Sequence, residues 1–175
     1  QELAPSAALA IANARMAESL VEHERVRREL ELAAEIQRTL LPSPRPEPFP
    51  VCGVNIPART VSGDFYDILP LPDSRIAFCL GDVAGKGMNA ALLMAKTASL
   101  YRCLARTGES PGALLATLDR EISETATRGI FVTMLAGLYD PARGEVTLSN
   151  AGHEPALLHG RDGSFLSLPA NAPPL

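Results

Sequence analysis

The sequence predicts an α+β fold with antiparallel sheets, preceded by one long helix. Three observations predict it. Residues 6–41 hold neither proline nor glycine and are rich in strong helix formers. Beyond a proline-rich stretch the apolar pattern changes from a helical period to alternation at period 2. The short elements that follow fall in the order strands, helices, strands, with tight-turn signals between the last of them. A doubly wound parallel sheet would instead alternate strand and helix throughout.

In the first helix the apolar positions follow a heptad. Leu9, Met16 and Leu30 occupy one seam position, and Ala12, Val26, Ala33 and Leu40 the other, with Ser19, His23 and Gln37 interrupting it. Such a helix either lies on its own domain or pairs in parallel with a second copy. The narrow stripe with charged flanks favours the pair, and a homodimer is expected through it. The helix must stop at "LLPSPRPEPFP", Leu40 to Pro50, whose five prolines impose an extended connection. The chain therefore divides into a helical linker, 1–41, and a domain, 42–175.

Within that domain "VCGVNIPA" and "GDFYDILPL" read as strands. "DSRIAFCLGDVA", after a turn at Pro72-Asp73, is apolar on both faces, as a central strand should be. A helix is predicted over 86–106, its polar residues Lys96, Ser99, Arg102 and Arg106 recurring three or four apart. Ser110 and Pro111 supply an N-cap and N1 pair for a second helix over 111–126, with Leu115, Leu118 and Ile122 turned inward. Strands return at "GIFVTMLAGLYD", "EVTLSNAG" and "PALLHG", the first two joined by a turn at "DPARGE".

Bulk properties bound the function. The 175 residues, 46% hydrophobic, suffice for one core. A net charge of −4 and a pI near 5.4 leave no electrostatic footprint for nucleic acid or an anionic membrane. No apolar run approaches the roughly 18 residues of a membrane span, and no signal peptide opens the chain, so a cytoplasmic protein is expected. Cys52, Cys79 and Cys103 lack metal-ligand spacing and read as reduced core residues.

The chemistry concentrates in "SGDFYDILPLPDSRIAFCLGDVAGKG", where two apolar runs each deliver an aspartate after a glycine: Asp64 after Gly63, Asp82 after Gly81. "GDVAGKG" lacks the hydroxyl residue that a phosphate loop places after its lysine, which excludes a Walker-type nucleotide site. Paired carboxylates suit Mg²⁺ or Mn²⁺. Two such ions about 4 Å apart, sharing a carboxylate, activate water near neutral pH. Asp82 at the end of a buried strand is the candidate shared ligand, with Asp64 facing it across the sheet. Glycines 63, 81 and 85 let backbone approach an ion and free the Val83 carbonyl to coordinate. The alternative is that both aspartates only cap turns.

"VSGDFYD", "GDVAGKGMNAALLMA", "FVTMLAGLYD" and "NAGHEPALL" occur in the order and at the spacing of bacterial PPM phosphatases of the RsbU/SpoIIE type, which this chain resembles over Pro42 to Leu175. "ALAIANARM" is similar to the closing helix of a GAF sensor domain. The resemblance implies two antiparallel sheets sandwiched between helices. It also implies a dinuclear Mn²⁺/Mg²⁺ site and activity on phosphoserine or phosphothreonine. The implied substrate, and partner, is a phosphorylated anti-sigma-factor antagonist of the STAS type, whose dephosphorylation releases a sigma factor. Carried over by residue, Asp64, Asp82 and the Val83 carbonyl match metal ligands. Asp67 is expected beside them as an outer-shell residue or a strand-end cap, Arg59 as a solvated strand residue in preference to a donor to the substrate phosphate, and Asn150 and His153 as family positions that shape a turn or assist catalysis. The histidine acid of animal members has no counterpart after Asp82, so proton donation to the leaving serine falls to water. Family members continue past "NAPPL" into motifs bringing further metal aspartates. The sequence as given is therefore expected to hold at most one ion, weakly, and to be weakly active or inactive. The competing class is a noncatalytic interaction module on the phosphatase fold.

Overall fold

A computed structural model describes residues 3–43, 48–57, 60–124 and 129–175, with side chains from residue 12 onward. The helix expected over 6–41 is α1, Leu3–Leu40. Then come β1 (Phe65–Pro70), β2 (Ile76–Val83), α2 (Met88–Ala105), α3 (Pro111–Ser123), β3 (Val132–Asp140), β4 (Glu145–Ala151), β5 (Ala156–His159) and β6 (Phe165–Leu168). The first four strands form one antiparallel sheet in sequence order, and β5 and β6 a separate antiparallel pair. This is the expected α+β class.

Alternation along the strands decides what each face does. Phe65, Cys79, Ala77, Val83, Val132, Met134, Ala136 and Ala151 point to one side. There they bury against Met94, Ala98 and Tyr101 of α2 and Leu114, Leu115, Leu118 and Ile122 of α3. Completely burying one such aliphatic side chain contributes about 1.5–3 kcal/mol, so this single layer carries most of the fold's stability. Helix α3 starts as its sequence dictates, with the Ser110 hydroxyl accepting from Ala113 N–H and Pro111 at the first helical position. Between β3 and β4, Asp140 accepts from the amides of Ala142 and Arg143 and fixes the turn.

Two expectations are corrected, and one strand was missed. The segment "VCGVNIPA" pairs with no strand over its described residues; Val54 and Ile56 are 78% and 84% exposed. Gly53 lies flat on the Tyr66 ring, at a distance that leaves no room for a Cβ, so this segment packs on β1 as extended coil. Cys103 is exposed on α2 and Cys52 is exposed too, leaving Cys79 alone of the three in the core, all as free thiols. Strand β6, "FLSL", had too little length or alternation to be recognised. Among the described residues no helix is long and apolar enough to cross a membrane.

The docking of α1 bears on the site. Leu30, Ala33 and Ala34 pack on Val61 and Ala91, and Gln37 is buried beside them. The lower half of the heptad seam thus faces its own domain. Met16, Leu20 and Val26, above it, stay exposed.

Candidate functional site

The β1–β2 register pairs Phe65 with Gly81. Continuing that ladder by one residue sets Asp64 opposite Asp82, on the face turned away from α2. There the two carboxyl groups are near enough to interact. Desolvation first, and then the Asp64 charge and hydrogen bond, raise the Asp82 carboxyl above its ordinary value, while His153 and the Val83 amide pull the other way. Two carboxylates this close disfavour full ionisation unless a cation lies between them.

Gly63 makes the convergence possible. A Cβ there would lie 2.9 Å from the Val83 carbonyl oxygen and 3.2 Å from Asp82 Oδ1. Only a residue without a side chain lets the Asp64 loop close over the end of β2. Gly81 is needed for a different reason: the Phe65 ring fills the space its Cβ would take. The loop is held by its own polar groups. Asp64 N–H donates to Ser62 Oγ at 3.0 Å, and Asn55 Nδ2 donates to the Asp64 carbonyl at 2.9 Å. After Val83 the chain turns through Gly85 and Gly87, both at positive φ, into α2.

Thr133 faces Asp82 from β3. Its hydroxyl lies 2.8 Å from His153 Nδ1 and donates to the Asp82 carbonyl at 3.4 Å. His153 is delivered by the "NAGH" turn. There Asn150, buried, accepts from His153 N–H and donates to the carbonyls of His153 and Glu154. Asn150 therefore shapes the turn, and His153 reaches the carboxylate cluster. Asp64 borders two clefts. One, of about 430 Å³, is lined also by Gln37, Arg38, Asn55, Ser62 and Met94. The other, of about 240 Å³, is lined by Asn55, Tyr66, Leu80 and His153.

Asp67, expected beside the carboxylates, lies on the opposite face of β1. It is 2% exposed and held by Arg102 of α2 through two bonds of 2.7 and 2.8 Å. Three residues separate it from Asp64, and an odd separation in a strand reverses the face. Arg59 lies outside the described residues. Sequence reading missed Thr133, Asn55 and Ser62. Only Thr133 had a signal, a lone hydroxyl in the apolar run "FVTML".

Asp64, Asp82 and the Val83 carbonyl form an all-oxygen set with clustered negative charge, closed over by a glycine backbone. That donor set fits a hard divalent cation. Among the described residues no third histidine, cysteine or acidic side chain joins them into a larger metal-binding group.

The comparisons agree with this architecture. The family model for stage II sporulation protein E (SpoIIE) matches residues 72–175, a span that begins after Asp64. The chain is 32% identical over 150 residues to the phosphoserine phosphatase RsbU of Bacillus subtilis, covering 84% of this chain and 44% of that one. It resembles the crystal structure of the RsbU and RsbW domains of Rv1364c from Mycobacterium tuberculosis at TM-score 0.60 and 31% identity, over 67% of this chain and 33% of that one. The SiaA-PP2C domain of Pseudomonas aeruginosa shares the fold at TM-score 0.68 and 18% identity, over 87% of this chain and 63% of that one. The chain thus spans less than half the length of the curated relatives it matches. With more than half its residues matched by one family model, the chain belongs to the SpoIIE family.

Proposed function

We propose that this chain is the metal-binding part of a protein phosphatase. It removes phosphate from serine or threonine of a phosphorylated anti-sigma-factor antagonist of the STAS type. The observation that carries the reading is the juxtaposition of Asp64, Asp82 and the Val83 carbonyl around Gly63. A relative named as a phosphoserine phosphatase supports it.

Asp64, Asp82 and the Val83 carbonyl would hold Mn²⁺ or Mg²⁺. Such an ion supplies Lewis-acid activation of water and of a phosphoryl oxygen. The chain's own contribution is placement. The β1–β2 ladder fixes the two carboxylates, Gly63 admits the carbonyl, and Thr133 orients His153 beside them. Two carboxylates and one carbonyl offer too little negative charge for two ions, and at most one ion is the expected occupancy of this chain. A second copy is the expected partner of α1. Met16, Leu20 and Val26 continue the docked stripe beyond the domain, where the chain's own surface no longer covers them.

The test is turnover of a phosphoserine peptide by the full-length protein with Mn²⁺, native against Asp82→Asn. The variant should lose more than about a hundredfold in kcat/KM, beyond the range typical of outer-shell substitutions. Equal turnover by native and variant would refute the assignment.

A further inference from the structure

Gln37 sits at a seam position of α1 where an apolar residue would continue the heptad, yet it is buried, 7% exposed. Its amide is used in full. Nε2 donates to the Ser62 carbonyl at 2.9 Å and to the Ala91 carbonyl at 3.2 Å, while Oε1 accepts from Ser62 N–H at 3.1 Å. The orientation is unambiguous, since a flipped amide would turn its NH₂ against Ser62 N–H and its oxygen against two carbonyls. The pair of bonds to Ser62 reproduces the reciprocal exchange of two paired strand residues. Ser62 in turn holds Asp64, its hydroxyl accepting from the Asp64 amide. Ala91 lies in the first turn of α2, bonded to Gly87, four residues beyond Val83. One side chain from the linker helix therefore ties the segment that carries Asp64 to the first turn of α2, the helix that follows Asp82 and Val83.

The last turn of α1 cannot slide to release that grip without further loss. Arg102, already bound to Asp67, donates to the Leu40 carbonyl at 3.2 Å. Ala34 packs among Val61 and Ala91. Gln37 is thus held on its own side while it holds the loop on the other.

We propose that Gln37 is a positioning residue for Asp64: it fixes the Ser62–Asp64 segment against α2 and so sets the affinity of the carboxylate pair for a divalent cation. The inference rests on the metal reading given above. It is separable from that reading, because the order of the segment is measurable without metal.

The experiment compares the full-length native protein with Gln37→Leu, Gln37→Glu and Leu30→Ala. Amide hydrogen exchange is read at residues 62–64 without metal, and Mn²⁺ affinity is read by calorimetry. Gln37→Leu should speed exchange at 62–64 and weaken Mn²⁺ binding about tenfold, at the low end for outer-shell substitutions. Gln37→Glu keeps the acceptor for Ser62 N–H and loses both donations, so it should fall between; it carries the comparison alone if the leucine variant does not fold. Leu30→Ala removes packing from the same helix without touching Ser62, and should lower the melting temperature while changing both other readings clearly less than Gln37→Leu does. Native exchange at 62–64 in both Gln37 variants would overturn the proposal, as would equal effects from Leu30→Ala. If the native protein binds no Mn²⁺ while exchange still speeds in Gln37→Leu, the metal reading fails and the positioning of Asp64 stands.

Discussion

Two aspartates three residues apart on one strand have opposite fates here, and alternation is the reason. Asp64 faces the open side of the sheet with Asp82. Asp67 faces α2 and ends in a bidentate ion pair with Arg102, whose guanidinium also reaches the Leu40 carbonyl. Hydrogen bonding and the charge of Asp67 raise the already high pKa of Arg102 against the cost of its partial burial. Removing one partner of such a pair leaves a buried charge uncompensated, which typically costs about 3–5 kcal/mol. Because Arg102 is only partly buried, the lower end applies. Asp67→Asn should therefore destabilise the fold by about 3 kcal/mol in chemical denaturation and leave Mn²⁺ affinity unchanged. A loss of Mn²⁺ affinity with native stability would return Asp67 to the metal site.

At the scale of elements, α1 does two jobs along one stripe. Residues from Leu30 to Leu41 cover their own domain, and Met16, Leu20 and Val26 remain outside it. The upper half is laced by exposed pairs such as Arg25 with Glu22 and Arg27 with Glu24, which solvent screens strongly. These support a helix without supplying an interface. A short and partly polar seam is marginal alone, so association should be weak and depend on the exposed stripe. Light scattering should show a dimer at micromolar concentration that Val26→Glu converts to a monomer. A native monomer at that concentration would remove the pairing. The heptad made the helix legible, but not which half of its seam is spent on the domain. That division is set by tertiary packing, which lays Val61 on Ala34.

Over the whole molecule, the class, the four long strands and both helices after Asp82 were readable. Their signals are local: alternation in "AFCLGDV", the Ser-Pro start of α3, the turn at Asp140. The carboxylate pair was readable for the same reason, since each aspartate follows a glycine at the edge of an apolar run. What escaped is set by tertiary contact. Nothing local marks Gln37 as a bridge to Ser62, and nothing local shows that "VCGVNIPA" will lie on Tyr66 without pairing. The central claim is that Asp64, Asp82 and the Val83 carbonyl hold a divalent cation. Its most direct test is a calorimetric titration of this chain with Mn²⁺, native against Asp82→Asn. One weak site in the native chain, absent in the variant, is the predicted result; binding that survives Asp82→Asn unchanged would contradict it.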